Sequence, residues 1–311
     1  MNKERKHIVF LARWYPHRYD PMFGLFVQRH AEAAALFNDI TVVYCHACER
    51  LQANKFEIVR TNENNVDTIR VYYKKPKNKI LSLIRFYRAN MKALKLCGKP
   101  DMIHVHILTR LGVIAWIQKK LHKTPYIITE HWSRYLPGND FGGFLRKLFT
   151  KIVVRYAETV TTVTENLAIA MKNHGLKNDK YVVLPNVVNL DMFHINEKNT
   201  DATSHVPTII HISCFEDKSK NISGLLESLK IINDKGIDFQ CTLIGEGMDL
   251  DLMKEKAKEL QLINKVSFTG LLQGQALADE LSSGDFLVLS SNYENMPVVI
   301  LEALASGLPV V

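Results

Sequence analysis

Two acids near the end of the chain, Glu294 and Glu302, stand with seven residues between them. Glu294 lies in a polar loop, Ser290 to Asn295, and Pro297 then opens the apolar run Val298 to Ala305, whose one charge is Glu302. A lone carboxylate in an apolar helix is costly unless something pairs with it. The amides that follow Glu294, those of Asn295 and Met296, stand where this helix starts, with the positive end of its dipole behind them. The unit therefore offers an anion cradle, an acid at its mouth and a fixed acid one turn inside. The plainer alternative is an ordinary helix-start acid followed by a glutamate that meets a stray lysine.

The elements around this unit read as open α/β sheets. Asp285 to Leu289 is a short apolar run, as expected of a buried parallel strand. Gly307 and Pro309 end the helix, which is expected to be buried on every side, and Leu308 to Val311 begins another strand. At the other end of the chain, His7 to Ala12 and Ile40 to Cys45 are strands flanking a helix over Leu25 to Leu36. That is the opening of a doubly wound sheet. Gly24, at the turn before the helix, either lets the backbone approach a ligand closely or simply starts the helix. The turn is not GxGxxG, so nothing points to a dinucleotide.

Phe56 to Val59 and Thr68 to Tyr73 read as edge or hairpin strands. Asp101 to His106 is a buried strand that carries His104 and His106 on one face, as core or rim residues without a third metal ligand nearby. Pro125 to Thr129 is a strand leading into Thr129-Glu-His-Trp-Ser133, which puts His131 at a strand's carboxyl end, where open α/β sheets bind ligands. A first domain over 1–188, a polar aperiodic linker over 189–207 and a second domain over 208–311 follow. The second domain starts with a strand over Thr208 to Ser213 and a loop, Cys214 to Asn221, that holds Lys218 and Lys220. The next strand, Phe239 to Ile244, ends in the turn Gly245-Glu-Gly247. Asp249-Leu-Asp251 has the spacing of a metal-binding pair, but it opens a helix, where aspartate is favoured anyway.

Composition narrows the class. Hydrophobic residues make up 47% and charged residues 23% of the chain, which is a globular profile and excludes disorder. No apolar run approaches a membrane span. The apolar stretch after the basic N-terminus is too short for a signal-peptide core, so a cytoplasmic protein is expected. Five scattered cysteines, with a single C-x-x-C at Cys45 and Cys48, read as free thiols. The net charge of +8 favours anionic partners without choosing among nucleotides, nucleic acid and lipid headgroups. Lys74 to Lys99 holds nine Lys or Arg and no acid, with apolar residues at helical spacing. Such a helix lies on an anionic membrane surface, or else packs as an ordinary domain helix with its charges solvated.

Taken together, these motifs resemble the retaining glycosyltransferases of family 4, which have the GT-B fold of two Rossmann-like doubly wound domains facing a cleft. Glu294 to Glu302 matches the family's E-x7-E motif, and EALASGLPVV continues as the family's usual run. Pro185-Asn-Val-Val-Asn189 is similar to its PNGVD segment, and Gly245-Glu-Gly247 to its GEG turn. Ser213 to Asn221 corresponds to the loop that holds an Arg and a Lys on the donor diphosphate. Lys220 matches the Lys, whereas the Arg position falls on Cys214 or Phe215, with Lys218 as a substitute. The first half carries a single Gly24 where many members have a glycine pair.

The resemblance implies transfer of a hexose-type sugar from a UDP- or GDP-sugar to a glycan or lipid-linked acceptor, in bacterial surface polysaccharide synthesis. It implies no metal, no cofactor, no nucleic-acid partner and no side-chain nucleophile. Lys220 and the amides of Asn295 and Met296 would stabilise charge on the departing phosphate. Glu302 would hold the ribose hydroxyls, Glu294 would face the donor sugar or the transfer centre, and His131 would line the cleft near the sugar. Gly24 would let the acceptor loop approach the phosphates, and Gly245 and Gly247 would border the donor. Members of the family continue beyond the point where this chain stops, so a C-terminally short second domain is expected. The alternatives are a GT-B sugar-nucleotide epimerase and a non-catalytic nucleotide-sugar-binding remnant.

Overall fold

The structure is a computed structural model that describes residues 4–49, 51, 55–139, 141–195 and 205–311. The chain divides into two compact units, Met1–Val187 and Val188–Val311. The first opens with β1 (His7–Ala12), α1 (Leu25–Ala35), β2 (Asp39–Cys48), β3 (Phe56–Glu63), β4 (Val66–Lys74) and α2 (Lys79–Leu96). It continues with β5 (Met102–His106), α3 (Thr109–His122), β6 (Tyr126–Glu130), α4 (Phe144–Tyr156), β7 (Thr159–Thr162), α5 (Glu165–Asn173) and β8 (Tyr181–Val183). The second unit holds β9 (Thr208–Ile212), α6 (Asp217–Lys220), α7 (Ile222–Asp234), β10 (Gln240–Ile244), α8 (Leu250–Glu259) and β11 (Val266–Gly270). It closes with α9 (Gln275–Ser283), β12 (Phe286–Leu287) and α10 (Val298–Ala305).

The first sheet has the order β3-β4-β2-β1-β5-β6-β7-β8, parallel except for the expected β3–β4 hairpin. Strand order reverses between β1 and β5, so a crevice opens at their carboxyl ends. The second sheet, β11-β10-β9-β12, is parallel throughout and reverses between β9 and β12. The fold is therefore α/β with two Rossmann-like units, the second sheet being the smaller.

Local chemistry explains the boundaries. Asn78 caps α2 by accepting from the Ile80 and Leu81 amides (2.8 and 3.0 Å), and Thr164 caps α5 by accepting from Leu167 (3.2 Å). In β1 every residue after His7 is buried, because helices cover both faces of a parallel sheet. Phe10, Tyr15, Val27 and Val42 anchor one face of the first unit. In the second unit one core gathers Phe215, Leu226 and Leu243 and another gathers Phe193, Ile210, Leu287 and Ala303.

Three expectations need correction. The linker expected over 189–207 does not begin at 189: Phe193 is fully buried in the second core, with Val188 and Met192 packed against it. Residues 196–204 of that linker lie outside the described residues. The strand expected over Asp285 to Leu289 is regular only at Phe286–Leu287; beyond these residues it continues as single backbone hydrogen bonds, from the Val288 amide to the Ile210 carbonyl and from the Leu289 amide to the Val311 carbonyl. Finally, α10 is not buried on every side. Glu302 and Ala303 are enclosed, while Leu304 is 57% exposed.

Candidate functional site

The reversal between β9 and β12 brings together two loops that are far apart in sequence. After β9, residues 213–221 fold partly into the single turn α6 and end at Asn221 in the left-handed region (φ 51°). After β12, residues 290–297 lead into α10. The loops are stapled by the Asn292 amide to the Ser219 carbonyl (2.9 Å), Asn292 Nδ2 to the Lys218 carbonyl (3.0 Å) and Ser290 Oγ to the Lys220 carbonyl (2.9 Å). Across this seam the Lys220 ammonium forms an ion pair with Oε1 of Glu294. Both partners are partly shielded, with side chains 19% and 28% exposed. A cation held in this way lies where a phosphate could compete with the carboxylate for it.

The glycine turn is a packing requirement of the same site. A Cβ on Gly245 (φ 137°) would stand 1.9 Å from the Ser213 carbonyl oxygen, and one on Gly247 would stand 2.5 Å from that of Phe215. The turn and the loop after β9 therefore touch backbone to backbone, joined by the Phe215 amide donating to the Glu246 carbonyl (2.9 Å). Asp249 accepts the Asp217 amide (2.8 Å) and Asp217 accepts from the Ser223 amide (2.7 Å), so Asp249 serves the loop's fold. Among the described residues no group of three or more His, Cys, Asp or Glu is arranged to hold a metal ion.

Of the two positions at which the resemblance leaves the second cation, Phe215 is fully buried in the core and Cys214 is exposed. Lys218 is exposed beside Lys220 on α6. Glu302 lies one turn into α10 and is 3% exposed. Beneath the seam sits His211, fully buried, its Nδ1 donating to the Val288 carbonyl (2.8 Å) and its Nε2 accepting from Ser213 Oγ (2.9 Å). Burial lowers its pKa to about 4, the Val288 carbonyl works against this, and the nearby Lys220 charge lowers it further. His211 is thus neutral and locks β9 to the stretch after β12.

Gly24 and His131 belong to the first unit, at the carboxyl ends of its strands. Gly24 (φ 71°) packs so closely on the loop after β1 that a Cβ would stand 2.4 Å from the Trp14 carbonyl carbon. From the next turn the ring of Phe26 meets that of His131 at 4.7 Å, and Trp14 meets Trp132 at 5.3 Å. His131 is 8% exposed, and its Nε2 shares a hydrogen bond with Nδ1 of His106 (3.1 Å). His30 and His104 complete a four-histidine cluster, held by Asn186 (3.3 Å to His30) and Thr129 (2.6 Å to His104). Burial lowers the pKa of all four, that of His104 to about 3.

Glu130, immediately before His131, is fully buried and accepts from the amides of Leu108, His131 and Trp132 (3.1, 3.0 and 2.9 Å). Burial raises its pKa to about 7 against those three donors. Its grip on Leu108 helps hold Ile107 at φ 66°, a strained conformation for a β-branched residue. Sequence reasoning missed Glu130 and the seam residues Ser290 and Asn292. A largely apolar strand ending in a glutamate, Tyr-Ile-Ile-Thr-Glu130, was the available signal for Glu130.

Structural neighbours agree with this architecture. Sucrose-phosphate synthase from Thermosynechococcus elongatus aligns over 98% of this chain and 80% of its own at TM-score 0.73, with 18% identity. An Anabaena protein, HepE, in complex with UDP and glucose aligns over 98% and 80% at TM-score 0.69, with 15% identity. Among curated relatives, the alpha-monoglucosyldiacylglycerol synthase of Streptococcus pneumoniae is 26% identical over 243 residues, 72% of this chain and 55% of that protein. The chain spans about half the length of the curated relatives it matches. The model of glycosyl transferases group 1 matches residues 194–311, and that of Glycosyltransferase Family 4 matches residues 24–192. The chain belongs to glycosyltransferase family 4.

Proposed function

We propose that the chain carries the transfer machinery of a retaining hexosyltransferase, which moves a sugar from a UDP- or GDP-sugar to a glycan or lipid-linked acceptor in bacterial surface polysaccharide or glycolipid synthesis. The observation that carries this reading is the Lys220–Glu294 pair at the β9/β12 reversal, with Glu302 buried on the helix that follows. A nucleoside diphosphate is already a good leaving group, so what the site must supply is charge stabilisation. Lys220, Lys218 and the amides of Asn295 and Met296 are the groups for that task. On donor binding the diphosphate takes Lys220, and Glu294 is released toward the sugar. Glu302 receives the ribose hydroxyls, and the family resemblance gives His131, neutral in its cluster, a role toward the sugar. No step needs a metal or a side-chain nucleophile. Support for the donor class comes from HepE, crystallised with UDP and glucose, and for a lipid-linked acceptor from the name of the pneumococcal relative.

The test is product analysis by mass spectrometry with UDP- and GDP-hexoses, with and without acceptor. Lys220→Ala and Glu302→Ala are each expected to lower transfer by roughly a hundredfold, as loss of one such electrostatic group does. Near-normal transfer by both variants would overturn the site assignment. Conversion of the sugar nucleotide without acceptor would replace transferase by epimerase.

The acceptor side of this reading includes an anionic membrane surface under α2. Its Ile80, Leu81, Leu83 and Ile84 are exposed among cations. Among the described residues no helix is long and apolar enough to cross a membrane, so contact of this kind would be peripheral.

A further inference from the structure

The first sheet, like the second, reverses its strand order, and two arginines stand at that reversal. Arg13 follows β1 directly, and Arg110 is the second residue of α3, just beyond β5. β1 and β5 are the neighbours between which the order turns. The Arg13 amide extends their ladder by donating to the His106 carbonyl (3.2 Å), which fixes where Arg13 leaves the sheet relative to β5. Open α/β sheets take their ligands at such a point.

Both side chains turn to one ring. The Arg13 and Arg110 guanidiniums stand 5.8 and 5.9 Å from the centroid of Phe86, which is buried on α2. Tyr73, near the end of β4, lies within reach of both charges: burial raises its pKa to about 12, and the two guanidiniums work against that rise. Arg5, Arg18, Arg60 and the buried Arg70 of the same unit pair with Asp39, Glu57, Asp67 and Glu63, whereas among the described residues neither Arg13 nor Arg110 has a carboxylate partner. Arg13 is half-buried, and its pKa is lowered by that burial and then by the charge of Arg110. Two cations held together without a counter-charge are destabilising until an anion joins them. The start of α3 adds to the pull on an anion, since its cap residue Leu108 offers no side-chain acceptor and its first turn carries no acid.

We propose that Arg13 and Arg110 hold a phosphate group of the acceptor, so that the acceptor is a phosphate- or diphosphate-linked molecule. This rests on the transferase reading given above and names the chemistry of its acceptor. The pair packs against α2, whereas His131 packs against Phe26 and His30 of α1, so the two arginines form a site of their own. The number of donors selects the ligand. One guanidinium fork satisfies both oxygens of a carboxylate, whereas two guanidiniums beside a helix start suit a phosphate or diphosphate, which has more oxygens to offer.

The test is calorimetric titration of the full chain in a Lys220→Ala background, which takes away the phosphate partner proposed for the donor. Inorganic pyrophosphate and farnesyl diphosphate are the probes. Both are expected to bind, farnesyl diphosphate at least as tightly, and Arg13→Gln and Arg110→Gln should each weaken binding roughly tenfold or more. Each substitution also removes one of two like charges, so the melting temperature without ligand should equal or exceed the parent's. The proposal is overturned if both variants bind the probes like the parent, or if both melt clearly lower without ligand, which would make the cations structural. Binding of glucuronate, a carboxylate, as tight as that of pyrophosphate would overturn the phosphate assignment. Binding of pyrophosphate without farnesyl diphosphate would overturn the acceptor assignment and leave a site for a free anion. UDP titration of the unsubstituted chain reports the donor site by itself: no UDP binding would sink the donor-site reading and leave the arginine pair standing.

Discussion

Lys220 and Glu294, separated by 74 positions in sequence, form an ion pair across the β9/β12 reversal, while three further hydrogen bonds hold their loops together. Both partners are partly shielded and their loops are stapled; in the proposed function the donor diphosphate exchanges with Glu294 for Lys220.

The two halves of this pair should therefore respond oppositely. Lys220→Ala removes the proposed phosphate partner and is expected to weaken UDP or GDP binding by about 1.5–3 kcal/mol, the worth of a charged hydrogen bond. Glu294→Gln removes the competitor and is expected to tighten diphosphate binding while slowing transfer. Isothermal titration of both variants decides the matter, and weaker binding by Glu294→Gln would contradict the exchange.

Gly245→Ala should destabilise the second unit. Its Cβ would overlap the Ser213 carbonyl at 1.9 Å, and the residue would sit at φ 137°, so the loop that carries Lys220 must move. A cost of about 2 kcal/mol or more is expected, read as a lower melting temperature with diminished UDP binding. An unchanged melt would show that the turn is not the loop's support.

Glu130→Ala strands three amides, two of them buried, and is expected to cost about 3 kcal/mol or more. Glu130→Gln keeps an oxygen acceptor and should cost less. Chemical denaturation of the two variants gives the order, and equal losses would mean that the amides are satisfied elsewhere.

The histidine cluster predicts loss of stability in mild acid. Burial keeps the folded pKa of His30, His104, His106 and His131 below the unfolded value of 6.5, with His104 at about 3. Between those values the unfolded chain binds more protons than the folded one, so stability is full above about pH 6.5 and falls as the pH drops toward 3. Glu130 acts in the opposite sense: its pKa is raised to about 7, so it stabilises below the unfolded carboxyl range and its contribution is lost as pH rises toward 7. Four groups outweigh one, and the net slope favours neutral pH. Urea midpoints between pH 7 and 4 check this, and replacing His104 by Asn should flatten the curve.

The sequence by itself determined the elements that depend on near neighbours. Alternating apolar strands and capped helices, the glycine turns, the acid-free helix before β5 and the Glu294/Glu302 spacing are all local patterns, because helix starts and strand runs are set within a few residues. The tertiary structure decided what required sheet order. Only the pairing of β9 with β12 sets Lys220 on Glu294, and only the crossovers that place β5, β6 and α1 side by side gather His30, His104, His106 and His131. Phe193, in a stretch that reads as linker, became core for the same reason: its partners Ile210 and Leu287 lie on strands distant in the chain. The exposed stripe of α4, Phe144, Leu145, Leu148 and Phe149, shows the converse. Its helical period is legible in the sequence, but which of its two apolar faces meets the protein is settled by the close approach of Gly112 to Val153.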